Sequence, residues 1–309
     1  MLFLLLISMI CSSKQILTTF YERIRIIFLP NGSVFYGWWI VFIASFVMYL
    51  GSLFWIQSYG AYAVVFKREF GWSMTMLATA YTLTRVESGL LGPFQGWMVD
   101  RYGPRIIISV GLVMYGIGLL FLTLVETLPF YFLAVIIISV GISLGGYQTL
   151  MVSIVNWFHR HRTKAIAITQ LGHSLGGLSI PMLVYGFEQL GWRTIAVSSG
   201  FAAIILGIPL VQRICHRPEE KGEVVDGITN GEHYQKNVEK NNDNVSTSWQ
   251  KALRTRAFWF ISAGHAIALL SVSTVLVHLI PHLTNKLGMG LTKAGLVFST
   301  VSISQILGL

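Results

Sequence analysis

Long apolar stretches separated by short charged connections dominate the chain. The stretches without Asp, Glu, Lys or Arg cover 26–66, 106–125, 127–159, 165–187, 194–212, 257–285 and a last one from 294. Crossing about 30 Å of hydrocarbon takes roughly 20 apolar helical residues. Backbone polar groups in lipid must be satisfied within the segment, so such stretches predict helices. We predict helices at about 36–60, 73–98, 105–126, 129–154, 165–189, 192–213, 257–283 and 292–309.

The composition agrees with a polytopic membrane protein. Hydrophobic residues make up 54% of the 309 residues and charged residues 11%, and the mean hydropathy is +0.65. A soluble domain carries about 25% charged residues. A transmembrane β-barrel would show short segments of alternating polarity, which are absent. The expected fold class is therefore all-α, with the lipid bilayer as a partner.

The distribution of positive charge predicts how the helices are oriented. Of the 22 Lys and Arg residues, 16 lie in the N-terminal segment, the turns at 98–106 and 158–164, and the loop at 213–256. Positive charge is retained on the cytoplasmic side of a membrane. We therefore expect a plasma (inner) membrane protein whose N-terminus and 213–256 loop are cytoplasmic. This distribution explains the net charge of +9 without a nucleic-acid partner.

A weak internal repeat divides the chain. The segment FGWSMT at 70–75 matches LGMGLT at 287–292 with an offset of 217 residues, and each precedes a predicted helix. Two helical halves related in this way are the plan of a secondary transporter. The second half lacks most of its helices, so we expect the chain to be truncated at its C-terminus. The predicted parts are an N-terminal cytoplasmic extension (1–35), a six-helix bundle (36–213), a cytoplasmic linker (214–256) and the start of a second bundle (257–309).

The stretch GWMVDRYGPR at 96–105 has the spacing G-x-x-x-D-R-x-G-x-R. Gly96 allows close helix packing, and Gly103 allows a tight turn. Asp100 can cap a helix or pair with a cation, while Arg101 and Arg105 supply donors. The spacing therefore predicts a charged gating latch between the two halves. The alternative is a positively charged anchor that contains a turn.

This motif resembles the signature loop of the major facilitator superfamily. GWWI at 37–40, GWS at 71–73, WFHRHRTKA at 157–165 and GWR at 191–193 are similar to the monocarboxylate and oxalate/formate branch of that superfamily. The resemblance covers nearly all of 36–309. It implies a major facilitator fold of two six-helix bundles and secondary transport of small organic anions, by proton symport or anion exchange.

The chain departs from the family pattern at two places. The segment IIISVGISLGG at 136–146 lacks the arginine that many members carry in the fourth helix. The first helix lacks the acidic and basic residues that animal monocarboxylate transporters place there. The proton-coupling scheme of those transporters is therefore not carried over to this chain.

Arg85 and Glu87 are ionisable groups inside a predicted membrane helix, where a functional role is the default interpretation. Arg85 shares one helical face with Gly89, Gly92 and Gly96. A partner helix or a water-filled cavity can approach that face, and a guanidinium can bind a carboxylate through two hydrogen bonds. Glu87 lies about 200° away around the helix axis and cannot pair with Arg85. A structural ion pair is the alternative for Arg85, and Glu87 is expected to carry a proton or to brace a neighbouring helix.

Further polar residues complete the predicted site. His173 and His265 can change charge near neutral pH, although a packing hydrogen bond is the alternative for both. The residues predicted to bind substrate or couple protons are Arg85, Glu87, Gln57, Tyr81, Gln148, Gln170, His173 and His265. The G-x-x-x-G spacing and a proline predict close, kinked helix packing. The residues predicted for packing are Gly89, Gly92, Gly172, Gly176, Gly177 and Pro181.

The sequence gives no reason to expect an enzyme. It contains no nucleotide-binding loop, nucleophile elbow or metal-ligand cluster, and its two cysteines, Cys11 and Cys215, are far apart. We expect a monomer without metal or cofactor, whose partners are a small organic anion and either protons or a counter-anion. Two alternatives remain open: an exporter of drugs or sugars on the same fold, and a membrane sensor or scaffold without transport activity.

Overall fold

A computed structural model describes residues 35–227 and 253–309. The described residues are helical and contain no strand, which confirms the predicted fold class. Most of the predicted extension and linker, including Cys11, lies outside the described residues. The helices are α1 (Tyr36–Gly51), α2 (Tyr59–Phe70), α3 (Met74–Tyr102), α4 (Pro104–Leu122), α5 (Leu128–Gly145), α6 (Tyr147–Trp157), α7 (Arg162–Leu178), α8 (Ile180–Leu190), α9 (Trp192–Val211), α10 (Arg256–Asn285) and α11 (Leu291–Leu307).

The first helical segment is longer than predicted. A π-helical turn at Ser52–Ile56 joins α1 to α2, and α2 continues to Phe70 rather than ending near residue 60. Lys67 and Arg68 occupy its last turn, where cations interact favourably with the helix dipole. Gly71 then ends the helix in the left-handed conformation, with φ of 70°.

Two helices predicted as continuous are interrupted. The helix predicted at 129–154 is divided at Gly146 into α5 and α6. The helix predicted at 165–189 is divided at Ser179 into α7 and α8. Pro181 lies in the first turn of α8, where its missing N–H needs no helical acceptor. The predicted kink is therefore a break between two helices.

Within the described residues, five helical segments are long and apolar enough to span a membrane. They are Tyr36–Phe70, Pro104–Leu122, Leu128–Trp157, Trp192–Val211 and Arg256–Asn285. Three other predicted helices do not meet these criteria of length and apolar composition. Helix α3 carries charged residues, α7 and α8 are separate short helices, and α11 is a 17-residue apolar helix.

Glycines bring neighbouring helices close together. A Cβ on Gly111 of α4 would lie 2.7 Å from the Cα of Gly145 in α5. A Cβ on Gly116 of α4 would lie 2.8 Å from the carbonyl oxygen of Gly200 in α9. Small residues of this kind allow helix backbones to approach each other in a membrane. Helix α4 is therefore packed tightly between α5 and α9.

Helix α10 packs against the preceding helices at one end only, whereas α11 has buried residues from Leu291 to Ser302. In α10, Leu276, Val277 and Ile280 are buried, whereas the segment 256–272 is exposed. A Cβ on Gly60 of α2 would lie 2.9 Å from the Leu276 carbonyl oxygen. We call the end of the molecule near Gly60 and Leu276 the opposite end, and the end near residues 212–227 the linker end. Towards the linker end, the segment 256–272 of α10 is exposed, whereas α1, α6 and α9 stay packed together there.

Candidate functional site

The face of α3 that carries Arg85 is open. A Cβ added to Gly89, Gly92 or Gly96 would meet nothing within 4 Å. The close packing predicted for these three glycines is therefore not found among the described residues. Arg85 is exposed on this face, and its guanidinium donates a hydrogen bond to the Tyr81 hydroxyl and lies 5.0 Å from the centre of the Tyr81 ring.

Helix α7 carries His173, whose Nδ1 atom is buried and has no hydrogen-bond partner within the described ranges. Tyr81 is buried, and its ring packs 4.7 Å from that of Tyr59. Among the predicted site residues, the structure brings Tyr81 and Arg85 into direct contact.

Glycines on α7 fix the position of His173. A Cβ on Gly172 would lie 2.7 Å from Ser45 Oγ and would overlap the Ser45 carbonyl. A Cβ on Gly176 would lie 2.6 Å from Ser52 Oγ. The His173 carbonyl accepts hydrogen bonds from Ser52 Oγ at 2.6 Å and from Gln57 Nε2 at 2.7 Å. Helix α7 is therefore held against α1 at the level of the site.

Gln57 is fully buried at a helix junction. Its Nε2 donates to Ser52 Oγ at 2.9 Å, and its Oε1 accepts a hydrogen bond of 3.3 Å from Ser302 of α11. A Cβ on Gly177 would overlap both Gln57 and Ser302. Gln57 therefore joins α11 to the earlier helices in this structure and does not line an open space.

Glu87 points away from Arg85, as its helical position predicts. Its Oε2 accepts hydrogen bonds from Ser139 and, at 3.3 Å, from Ser143, both on α5. Ser88 is a third donor, at 3.3 Å. Glu87 Oε1 is buried and has no hydrogen-bond partner within residues 35–227 and 253–309.

The remaining predicted residues are separate from the Arg85 group. Gln148 on α6 and His265 on α10 are exposed. Gln170 is half-buried, and its Oε1 has no partner among the described residues. No hydrogen bond within the described ranges joins any of the three to Tyr81, Arg85 or His173.

The motif at 96–105 is mostly helical, which corrects the predicted loop. Helix α3 runs through Tyr102, and Gly103 alone connects it to α4, with φ of 80°. Arg101 lies 5.5 Å from the Trp97 ring centre, and Arg105 donates to Gln212 Oε1 at 2.6 and 2.9 Å. Asp100 makes no hydrogen bond or ion pair within the described residues. In this structure, the motif does not join α3 and α4 to α10 or α11 as a latch.

A segment that we call the strap, residues 212–227, folds across the linker end. Asp226 is buried and accepts hydrogen bonds from the backbone N–H groups of His159, Arg160 and His161. Glu223 accepts from the Tyr36 backbone N–H at 3.1 Å. Burial lowers the pKa of His161, although the nearby Asp226 carboxylate partly opposes that shift.

At the opposite end, Glu69 of α2 joins α9. Its carboxylate accepts hydrogen bonds from the Trp192 indole and the Arg193 guanidinium. The Glu69–Arg193 contact is the one ion pair among the described residues. Both side chains are partly exposed, so the pair stabilises the fold only modestly.

Sequence reasoning missed several partners of the predicted residues. They are Ser88, Ser139, Ser143, Ser302 and Asp226. One signal was available for the α5 serines, because Ser139 and Ser143 are four residues apart in an otherwise apolar segment and share a helical face. The sequence holds no comparable signal for Ser302 or Asp226.

Solved structures resemble the described helices. A bacterial homolog of the human lysosomal transporter Spinster, in an inward-facing and occupied conformation, matches with a TM-score of 0.65 and 15% identity over 88% of this chain and 59% of that chain. A D-xylose-proton symporter matches with a TM-score of 0.59 and 15% identity over 87% of this chain and 66% of that chain. At these identities, the similarity shows the fold.

Curated proteins resemble parts of the chain in sequence. The Fujikurins efflux protein of Gibberella fujikuroi is 28% identical over 59% of this chain and 40% of the relative. The oxalate:formate antiporter of Oxalobacter formigenes is 28% identical over 50% of this chain and 36% of the relative. The matched part thus covers well under half the length of either relative.

The family assignment follows from a match along most of the chain. The model of the Major Facilitator Superfamily matches residues 38–309, a range that includes the α3 motif and the Arg85 group. Together with the helical fold, this match shows that the chain belongs to the Major Facilitator Superfamily of membrane transporters.

Proposed function

We propose that this protein is a secondary transporter of small, monocarboxylate-like organic anions and that Arg85 contacts the anion. The observation that carries the proposal is the position of Arg85 on an open face of α3, with its guanidinium held by Tyr81. An arginine at membrane depth is costly unless it has a role, and its planar donors match a carboxylate.

The surrounding side chains support an anionic substrate. Tyr81 holds one guanidinium nitrogen and leaves the other donors of Arg85 for a ligand. The unpartnered Nδ1 of His173 offers a further polar contact on the facing helix. Arg85 has no carboxylate partner within the described residues, since the ion pair found there joins Glu69 and Arg193.

The proposal includes the direction of access. Helix α10 is exposed towards the linker end, which carries the excess of Lys and Arg and which we assign to the cytoplasm. The site would then be reached from the cytoplasm of the plasma membrane in this conformation. Movement of the two groups of helices would alternate access, and proton symport or exchange for another anion would drive transport.

The relatives support two kinds of cargo. The similarity to an oxalate:formate antiporter supports a carboxylate. The similarity to the Fujikurins efflux protein supports efflux of another kind of compound as a second candidate function. The polar Arg85 group favours the carboxylate.

Uptake into liposomes tests the proposal. Reconstituted protein should accumulate labelled monocarboxylate when a pH gradient or an internal counter-anion is supplied. Arg85→Gln should abolish saturable uptake, and Arg85→Lys should weaken apparent affinity about tenfold or more, because lysine cannot bind a carboxylate bidentately. Arg68→Gln is the matched control, since Arg68 is exposed at the end of α2.

The outcomes separate the two cargoes. Unchanged uptake by Arg85→Gln at normal expression would remove Arg85 from the anion site. If the wild-type protein moves a neutral, apolar compound but no organic anion, the export candidate replaces the carboxylate one. If neither moves, the protein is not a transporter of these classes.

A further inference from the structure

We propose that Gln170 and His173 of α7 and Gln305 of α11 form a neutral site that binds a hydroxyl group of the transported anion. The proposal rests on the proposed function, because it names the chemistry of the second end of that anion. Each of the three residues has one buried polar atom without a hydrogen-bond partner among the described residues. These atoms are Gln170 Oε1, His173 Nδ1 and Gln305 Oε1.

The three buried atoms need a partner from outside the described helices. A buried polar atom without a hydrogen bond costs free energy, and a ligand that supplies the missing bond recovers that cost. The three side chains as a whole are half-buried, so each also borders an accessible space. A small ligand in that space can therefore pair with atoms that the described helices leave unpaired.

Helical geometry places Gln170 and His173 on the face of α7 that is turned towards α11. Gly177 marks this face, because a Cβ there would overlap Ser302 of α11. His173 lies four residues before Gly177 and Gln170 lies seven before it. At about 100° per residue, the two positions are within about 40° of the direction of Gly177.

Helix α11 brings Gln305 to the same level from the other side. It runs antiparallel to α7 and α8, since a Cβ on Gly295 would lie 3.4 Å from Pro181 Cα, whereas Ser302, two turns later, lies against α7. Gln305 is one further turn towards the linker end and about 60° around the axis from Ser302. It therefore lies at about the level of His173.

The Gln57 junction closes this site on the side of the opposite end. Gln57 Oε1 accepts a hydrogen bond of 3.3 Å from Ser302, and Gln57 Nε2 donates to the His173 carbonyl at 2.7 Å and to Ser52 Oγ at 2.9 Å. A Cβ on Gly177 would overlap both Gln57 and Ser302, so no side chain fits between them. The Gln57 amide is thus fully bonded, and the unpaired atoms lie on its linker side.

The surroundings favour an uncharged ligand group. Helix α1 has no Asp, Glu, Lys or Arg, α7 has none from Ala165 to Leu178, and α11 has none after Lys293. A second carboxylate would find no cation on these helices, and an ammonium group would find no anion, so either charge would be buried at a high cost. A hydroxyl both donates and accepts, so it can pair with an amide oxygen and with an imidazole nitrogen.

Competition in liposomes tests the site with acids of equal length. Propionate, 3-hydroxypropionate and malonate differ only at the end away from the first carboxylate. In the wild-type protein, 3-hydroxypropionate should inhibit exchange of labelled propionate about three- to tenfold more strongly than unlabelled propionate does, because propionate leaves the buried atoms unpaired. Malonate should inhibit least. Butyrate, 4-hydroxybutyrate and succinate repeat the comparison with one more carbon.

Variants assign the preference to the site. Gln305→Leu and Gln170→Leu should each reduce the preference for the hydroxy acid to about twofold or less, with propionate exchange unchanged. Gln189→Leu, which changes an exposed glutamine of α8, is the matched control and should keep the preference. Gln305→Arg should raise inhibition by malonate or succinate, because it places a cation where the site is neutral.

The outcomes separate this site from the proposed function. Equal inhibition by the two monocarboxylates of each length would mean that only water pairs with the buried atoms, and the hydroxyl site would fall while anion transport stands. A wild-type preference for the dicarboxylate would also overturn the hydroxyl site, as would a hydroxyl preference that both leucine variants retain. If the wild-type protein exchanges no organic anion, the proposed function and the hydroxyl site fall together.

Discussion

The carboxylate of Asp226 accepts a 2.7 Å hydrogen bond from the backbone N–H of Arg160, and it accepts weaker ones from His159 and His161. These three N–H groups precede α7, where a helix start leaves donors unsatisfied. Asp226 itself has φ of 60°, in the left-handed region that few non-glycine residues occupy. The strap therefore ends with a carboxylate that accepts hydrogen bonds from backbone N–H groups at the start of α7. This is the helix that carries His173.

Loss of the Asp226 carboxylate should destabilise the linker end. We expect Asp226→Ala to lower the free energy of unfolding by about 1–3 kcal/mol, because the backbone N–H groups of Arg160 and His161 lose a charged acceptor that is itself buried. Asp226→Asn should cost less, since asparagine tolerates the left-handed conformation and keeps one acceptor oxygen. Thermal denaturation of the purified protein measures both. Glu219→Gln, at an exposed position in the strap, serves as the control.

His161 should make the linker end sensitive to acid. Burial holds the pKa of His161 below its ordinary value of 6.5, so its stabilising contribution is present above about pH 6.5 and is lost as the pH falls towards the folded-state pKa. Stability measured against pH should therefore drop less steeply below 6.5 in His161→Gln. A pH dependence that is identical in the variant and the wild type would contradict this prediction.

Glycines at the α1–α7 crossing should be far less tolerant than those on the open face of α3. Gly172→Ala should destabilise the protein by about 1–3 kcal/mol, because its Cβ would overlap Ser45. Gly92→Ala should be neutral or should stabilise the protein by up to about 1 kcal/mol, since its Cβ meets nothing and alanine favours the helix. Thermal denaturation of the two variants gives the comparison. An equal loss of stability in the two variants would mean that this face of α3 is covered in the purified protein.

Two hydrogen bonds should hold the opposite end closed. Ser302 donates to Gln57 at 3.3 Å, and Thr292 donates to Glu188 at 2.5 Å. Removing either bond, with Ser302→Ala or Thr292→Val, should cost about 0.5–1.5 kcal/mol and open this end about two- to tenfold more often. The rate at which a thiol reagent labels a cysteine introduced at Val277, which is buried at this end, reports the opening. Thr300→Val is the control, because Thr300 is exposed and bonds only within its own helix.

The sequence predicted the class, the family and the approximate helix positions because those depend on local composition. Apolar stretches of membrane length must be helical, and the α3 motif carries the family resemblance. The helix breaks at Gly146 and Ser179 were missed, since both lie inside uninterrupted apolar stretches. The long α2 was missed because about 20 to 25 apolar residues are enough to span a membrane, and composition alone does not show that the helix continues to Phe70.

The candidate site was predictable only where one helix decides the arrangement. The opposite directions of Arg85 and Glu87 follow from helical geometry alone. The contact of Glu87 with the α5 serines depends on how α3 and α5 are rotated against each other. That rotation depends on packing between residues far apart in the chain, which a single sequence does not pair. The roles of all these residues remain predictions.

The connection between α3 and α4 has a mechanical consequence. Gly103 alone separates the two helices, and Pro104 restricts the backbone immediately after it. The 18 residues from Arg85 to Tyr102 span about 25 Å at the usual helical rise, and Pro93 lies between them. A proline inside a helix removes one backbone hydrogen bond, so the end of α3 near Gly103 can bend relative to the part that carries Arg85. Arg105, directly after the connection, is bound to Gln212 of the strap, so a movement of the strap would act on this end of α3 first.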